Sequence, residues 1–417
     1  MKELFTHSLF KNRLFAIILM FLSSSTISYG QFSQLASLPS SGLSARASTF
    51  AIGNTIYVVC GEGIKGNGST TQFYAYNTQT NQWTQKTNFP GAARYNSAGF
   101  SDGVDGYVGC GWNTGGSGRL SDIWKYSPTT DSWTQLPNFP GGARSNISGV
   151  SAVGKAYLIC GRSNSSYHTD IWEFNSSSST WTQITNLPAS ARWGAKAFLS
   201  NNKLYVGLGT QSTLNIFYQD FWSYDLTTNV WTQLADYPSQ ASTEGSHMSI
   251  NGVPYVFEGL DNLNYPPGGQ TLYKYDIPTD AWVAEPFNFS GVDRFYSIGE
   301  SVGGIGYFGL GSTFNNTLGD FHKIIPAGSW PTDVVDIEED FEIMVYPNPC
   351  TDILKIETSS SVEKVELQNM AGLVIESFEP SSDYFEINMK PFASGNYLLI
   401  FTDKNSMLVK NAKIMKK

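Results

Sequence analysis

Lys155-Ala-Tyr-Leu-Ile-Cys160-Gly161, a polar gap, Asp170-Ile-Trp-Glu-Phe174, a turn, then Trp181-Thr-Gln-Ile184: the reading of this stretch decides the fold. Lys155 to Cys160 is an apolar-rich run, separated from the similar run Ser145 to Val153 by Gly154, a tight hairpin signal. Asp170 to Phe174 alternates apolar with polar residues and reads as a third strand. Trp181 to Ile184 reads as a fourth, before Asn-Leu-Pro and Arg192 open the next unit. Four short antiparallel strands in about 50 residues make one β-sheet module of a radial array.

The same text returns along the chain. A strand-closing glycine stands in Cys60-Gly61, Cys110-Gly111, Cys160-Gly161, Leu208-Gly209, Glu258-Gly259 and Leu310-Gly311. An aromatic follows at Tyr76, Tyr126, Phe174, Tyr224 and Tyr275, each seven residues before Trp83, Trp133, Trp181, Trp231 and Trp282. These residues resemble the kelch repeat, in which a double glycine precedes a Tyr and a Trp. The first glycine is replaced here by Cys, Leu or Glu, while the Tyr/Trp spacing holds in five modules. The resemblance covers about residues 31–326 and implies an all-β fold, a six-bladed kelch-type β-propeller. The sixth module lacks its own tryptophan strand. Gln31-Phe32-Ser-Gln-Leu35 matches Ser132-Trp133-Thr-Gln-Leu136, so the N-terminal segment is expected to complete the last blade beside Phe321 to Ile325 and remove the exposed edges. The rival is local closure by Trp330.

Composition agrees with a β-rich extracellular protein: aromatics are 14%, charged residues only 15%, and the formal net charge is −9. No basic cluster marks the repeats, so nucleic acid is not an expected partner. Lys2, Lys11 and Arg13 precede a short apolar run, Leu14 to Leu22, and small residues Ser28 and Gly30 stand before Gln31. Residues 1–30 therefore read as a signal peptide, too short in its apolar part to be a membrane anchor. No later stretch is apolar enough to span. Cys60, Cys110 and Cys160 hold equivalent places in successive modules. Around an axis such places lie roughly 10 Å apart, beyond the reach of a disulfide or a shared metal. Buried thiols are expected instead.

The repeat text ends at Ile325. Residues 327–341 form an acidic linker, and 342–417 alternate in short runs without tryptophan, the pattern of a small Ig-like β-sandwich of about seven strands. This tail resembles the type A sorting domain of type IX secretion. The matching residues are Tyr346-Pro347-Asn348-Pro349, Ile353-Leu-Lys-Ile356, Val365 to Gly372, Ser394-Gly395-Asn-Tyr397, and the basic end Lys413 to Lys417. The resemblance implies recognition by the type IX machinery and a secreted or outer-surface destination.

Loops between blades open on one face with the loops that follow the strand-closing glycines. Arg46, Arg94, Arg144, Arg192 and Arg294 stand in the inter-blade loops, with Glu244 in the odd blade. They are expected to ring the channel mouth. Each guanidinium could pair with the aspartate before the third strand (Asp122, Asp170, Asp220, Asp320), or together they could hold an anionic sugar or acidic peptide. Trp112 and Trp193 fall outside the repeat positions on the same face, and Tyr95 follows Arg94. Exposed flat aromatics beside polar loops suit sugar rings. No metal, cofactor or catalytic motif stands out. His168, His247 and His322 lie in three different modules, and Asp102-Gly103 with Asp105-Gly106 reads as a hairpin rather than a calcium loop. The expectation is a binding protein for a glycan or surface protein. An enzyme resembling the kelch-type sialic acid mutarotases, with Glu244 as acid/base, is the alternative, and a purely adhesive module is the third.

Overall fold

The computed structural model describes residues 31–39, 45–63, 68–116, 118–211, 216–239, 245–257, 271–285, 289, 291–292, 294–313, 316–326, 344–358, 362–369, 374–380, 382–402 and 408–417. Residues 1–30, expected as a signal peptide, Glu244, the expected linker with Trp330, and Gly372 lie outside these residues.

Between residues 31 and 325 the described chain forms six four-stranded antiparallel sheets. Blade 1 holds Ser48–Ile52, Thr55–Val59, Phe73–Asn77 and Gln82–Gln85. Blade 2 holds Ala98–Ser101, Gly106–Gly109, Ile123–Ser127 and Ser132–Leu136. Blade 3 holds Ser148–Ala152, Lys155–Ile159, Asp170–Asn175 and Thr180–Asn186. Blade 4 holds Lys196–Ser200, Lys203–Gly207, Phe221–Asp225 and Val230–Leu234. Blade 5 holds His247–Ile250, Val253–Phe257, Leu272–Asp276 and Ala281–Ala284. Blade 6 holds Ile298–Val302, Ile305–Gly309 and Phe321–Ile325, with Gln31–Leu35 paired antiparallel to the last of these. Each first strand touches the first strands of both neighbouring blades, and blade 6 touches blade 1, so the inner strands close a ring. They approach so closely that a Cβ on Gly99 would lie 2.2 Å from the Thr49 carbonyl oxygen.

The repeat residues are the joints of this ring. Four of the five outer tryptophans donate the indole N–H to the preceding blade: Trp83 to Ala36 O, Trp133 to Thr87 O, Trp231 to Thr185 Oγ1 and Trp282 to Ala235 O. The tyrosine beside it donates to an Asn or Asp five residues on, as in Tyr76–Asn81, Tyr126–Asp131, Tyr224–Asn229 and Tyr275–Asp280. That acceptor sits at positive φ, which Asn and Asp tolerate. Blade 3 has Phe174 and Ser179 at these places. Donor and acceptor are lost together, as expected if they exist for each other.

Cys60, Cys110, Cys160, Leu208 and Leu310 all adopt φ between 54° and 60°. The residue that replaces the first kelch glycine thus keeps a glycine-like backbone. The three cysteines are free and buried, and burial pushes their thiols up to about 12.

The tail is a separate unit. Its strands form a three-stranded sheet (Met344–Tyr346, Ile353–Glu357, Tyr384–Asn388) and a four-stranded one (Val374–Phe378, Lys364–Asn369, Gly395–Thr402, Leu408–Lys416). Leu354, Ile356 and Ile387 from the first share a core with Val365, Leu399 and Phe401 from the second. Asn348 Oδ1 accepts the Met415 N–H at 2.9 Å, and Tyr397 donates to Ala393 O at 2.6 Å. Tyr346-Pro347 and Asn348-Pro349 are both cis. The basic end is a paired strand rather than a loose tail.

Candidate functional site

Four of the five arginines do not line the mouth. Arg94, Arg144, Arg192 and Arg294 are at most 2% exposed. Each grips the aspartate of its own blade with both terminal nitrogens: Arg94–Asp122 at 2.7 and 2.7 Å, Arg144–Asp170 at 2.7 and 3.1 Å, Arg192–Asp220 at 2.7 and 2.9 Å, Arg294–Asp320 at 2.8 and 2.6 Å. The same guanidinium donates to the carbonyl of the positive-φ residue, Cys110, Cys160, Leu208 or Leu310. The aspartate also accepts the indole N–H of Trp124, Trp172 or Trp222, and in blade 6 His322 Nε2 lies 2.7 Å from Asp320 Oδ2. Burial alone would raise Asp122 and Asp320, but these hydrogen bonds outweigh it and hold both below the usual carboxylate range. Blades 1 and 5 have Gln72 and Thr271 at the aspartate place and Ser44 and Ser242 at the arginine place, so both members are missing together. The expected ring of ligand-facing arginines is therefore four internal buckles.

Arg46 is different. It lies two residues before its inner strand, in register with Asn96, Asn146, Gly194 and Tyr296, and not with Arg94. All five have positive φ. They form a hydrogen-bonded rim: Arg46 N–H to Tyr296 O, Asn96 to Arg46, Asn146 to Asn96, Gly194 to Asn146, at 2.9–3.1 Å. By the same count Glu244 stands two residues before Ser246, at the rim place rather than the buckle place. The Arg46 guanidinium lies 3.7 Å from the Tyr296 ring centroid and 5.2 Å from that of Tyr95, with Glu62 at 3.5 Å.

From Tyr95 the surface runs on over two more blades. Tyr95 pairs with Trp112, whose ring lies 4.6 Å from the Arg119 guanidinium. Arg119 donates to Ser145 Oγ at 3.1 Å and Asn164 Oδ1 at 2.7 Å. Arg162, backbone-paired to Ser145, lies 5.7 Å from the Trp193 ring centroid. Tyr95, Trp112 and Trp193 are half-buried and share this arc with Arg46. Each guanidinium along it lies against a ring, an arrangement that stabilises both by cation–π attraction.

Below the rim lies a central cavity of about 470 Å³, walled by the inner strands. Its lining is largely small and polar. Ser48 and Ser148 donate across to a carbonyl of the next blade, and Lys196 does the same to Gly245 O at 2.6 Å. His247 is enclosed beside Phe198, and burial, then the Lys196 charge, push it down to about 3. Glu300 stands where the other blades have Phe50, Phe100, Val150, Phe198 and Met248. Burial raises it to about 7 against hydrogen bonds from Thr49 and the Ser301 backbone. The surface of both residues is still partly reached by water, so they line the cavity rather than the inter-blade core alone.

The profile of the KLHDC2/KLHL20/DRC7 Kelch-repeats domain matches residues 18–209, and that of the secretion system C-terminal sorting domain matches residues 344–417. The chain carries a kelch propeller and a secretion sorting tail. The fold of the kelch unit is also similar to the solved structure described as "Structure of YjhT", with a TM-score of 0.56 at 18% identity, over 69% of this chain and 95% of that one. At that identity the likeness bears on fold alone. No curated protein matches the chain. The sorting tail marks the kelch protein as secreted or outer-surface, and it implies contact with the secretion machinery. Among the described residues no helix is long and apolar enough to cross a membrane.

The remaining candidates of the kelch unit have local roles. Asp102 accepts N–H groups of Val104 and Asp105 and the Tyr107 hydroxyl, the geometry of a hairpin turn. Sequence reading missed Arg119 and Glu300. Arg119 occupies a place held elsewhere by Ser69, Tyr167, Phe217 and Thr317. Glu300 breaks an apolar series, a signal visible only once the inner strands are aligned.

Proposed function

We propose that this is an exported binding protein, cleaved after Gly30, whose propeller takes a glycan or a surface-protein ligand at the channel mouth. Trp112, Trp193 and Tyr95 supply flat surfaces, and Arg46 supplies charge beside them. The observation that carries the reading is the arc of rings and guanidinium groups from Tyr296 to Trp193. Stacked aromatics beside hydrogen-bonding loops are the usual means of holding sugar rings. Tyr346 to Pro349, Gly372, Gly395 and Tyr397 belong to the sorting domain in this reading and direct export.

A mutarotase would need Glu244 in a pocket with arginines beside it. Glu244 lies outside the described residues, and Arg94, Arg144, Arg192 and Arg294 are each held by an aspartate. Only Arg46 of the five reaches the cavity. The binding reading is therefore favoured over the enzymatic one.

The test is a glycan array probed with the full chain and with Trp112→Ala and Trp193→Ala. Binding that falls at least tenfold in both variants supports the mouth as the site. Binding retained in both removes it, and anomer exchange of sialic acid seen by NMR would favour the enzyme.

A further inference from the structure

Wherever the blades bury an arginine at the buckle, they supply an aspartate. Arg119 is also buried, at 8% exposed, but its side-chain partners among the described residues are neutral: Ser145 Oγ and Asn164 Oδ1. Those bonds use Nε and Nη1 and leave Nη2 without a protein partner there. A second guanidinium, that of Arg162, stands on the adjoining blade, and it too has no carboxylate partner among the described residues. Ser145 ties the two together, accepting from the Arg119 side chain and pairing with the Arg162 backbone. Two cations in one partly dry place, with no carboxylate partner among the described residues, is a costly arrangement for the empty protein. An anion that bridges them removes the cost.

The flanks say what carries that anion. Trp112 lies against Arg119 and Trp193 against Arg162, so each of the two guanidinium groups has an indole beside it. Resting on the binding reading above, we propose that Arg119 and Arg162 form an anion seat for a carboxylate or sulfate group of an acidic glycan, whose sugar rings stack on the two tryptophans. Guanidinium groups suit these planar or tetrahedral oxyanions because their N–H bonds can engage two oxygens at once. Burial, then the Arg162 charge, lower the Arg119 pKa, which is consistent with two cations held against each other.

The test measures binding of the full chain to matched polysaccharides: polygalacturonate against its methyl ester, and dextran sulfate against dextran. The variants are Arg162→Gln, which removes no hydrogen bond seen here, Arg162→Lys, and Trp193→Ala. The acidic member of at least one pair is expected to bind about tenfold or more tightly than its neutral form, and Arg162→Gln is expected to abolish that preference. Arg162→Lys should restore part of it. Which pair shows the preference tells carboxylate from sulfate. Equal binding of acidic and neutral forms, lost in Trp193→Ala, leaves the stacking mouth intact and overturns the seat. A preference untouched by Arg162→Gln also overturns it. Absence of binding to all four overturns the seat, and the glycan array above decides the mouth separately.

Discussion

Removing the Asp122 carboxylate by Asp122→Ala isolates one blade buckle. The change deletes both acceptors of Arg94, each at 2.7 Å, and the acceptor of Trp124 Nε1 at 2.7 Å. It leaves a guanidinium with no exposed surface and, among the described residues, only the carbonyls of Cys110 and Ala92 as hydrogen-bond acceptors. Breaking a buried ion pair on one side costs about 3–5 kcal/mol. The Asp122 side chain is 19% exposed, so water can enter its place, and the lower end, about 3 kcal/mol, is expected. Replacing both partners, Arg94→Met with Asp122→Leu, should cost less than the single change, because no unpaired charge remains even though Trp124 Nε1 and the Cys110 carbonyl still lose a partner. Blades 1 and 5 already run without either member. Urea unfolding followed by tryptophan fluorescence suits the measurement, since all eleven tryptophans precede the sorting tail and the signal reports the propeller. A single variant no less stable than the double would refute the buckle. The pair's folded carboxyl lies below its usual range, so its stabilisation is present above about pH 3.9 and is lost as pH falls below that.

Three further outcomes follow from the same structure. Glu300 is raised to about 7 against about 4.3 for an ordinary glutamate, so the folded state prefers the neutral acid and stability is lost as pH rises through that window; Glu300→Gln should raise the urea midpoint at about pH 8 and have no effect near pH 4, and an unchanged difference across that range would count against it. Gly111→Ala forces a Cβ to within 2.8 Å of Ser97 Cβ at φ +103°, which should cost more than about 2 kcal/mol in the same assay, whereas Gly154→Ala at an open hairpin (φ +70°) should cost about 1 kcal/mol. Phe32 packs against Phe257, Phe289 and Phe308 with centroids 5.1–6.2 Å away; Phe32→Ala should lose about 3 kcal/mol, and a loss under 1 kcal/mol would mean the first strand contributes little to the last blade.

The joints of the ring were legible because each is a residue type at a fixed interval. Trp83 and its four equivalents, the tyrosines and the strand-closing glycines repeat for one physical reason apiece, and the match of Gln31–Leu35 to Ser132–Leu136 located the strand that pairs with Phe321–Ile325. Arginine alignment was not legible to the same degree. Arg46 lies two residues out of register with Arg94, standing 14 residues before Cys60 where Arg94 stands 16 before Cys110; the spacing carries this offset, and the shared positive φ and the rim hydrogen bonds show what it means. The buckle aspartates could be listed from spacing, but whether the guanidinium groups face them or a ligand depends on side-chain direction, which a one-dimensional pattern does not carry. Arg119 was invisible because nothing in its neighbourhood repeats, and its interest arises from what surrounds it in space.

The pairing of Gln31–Leu35 with Phe321–Ile325 gives the propeller a test of its own completeness. The two strands are contributed by opposite ends of the unit, so a chain clipped at its start and a chain stopped short at its finish are damaged in the same sheet. The last blade cannot form until nearly 300 intervening residues are present, a long-range closure that belongs among the slow steps of folding. Because the sorting tail follows that same blade in the chain, a protein that reaches the surface with its ring shut is one whose two ends both survived the journey.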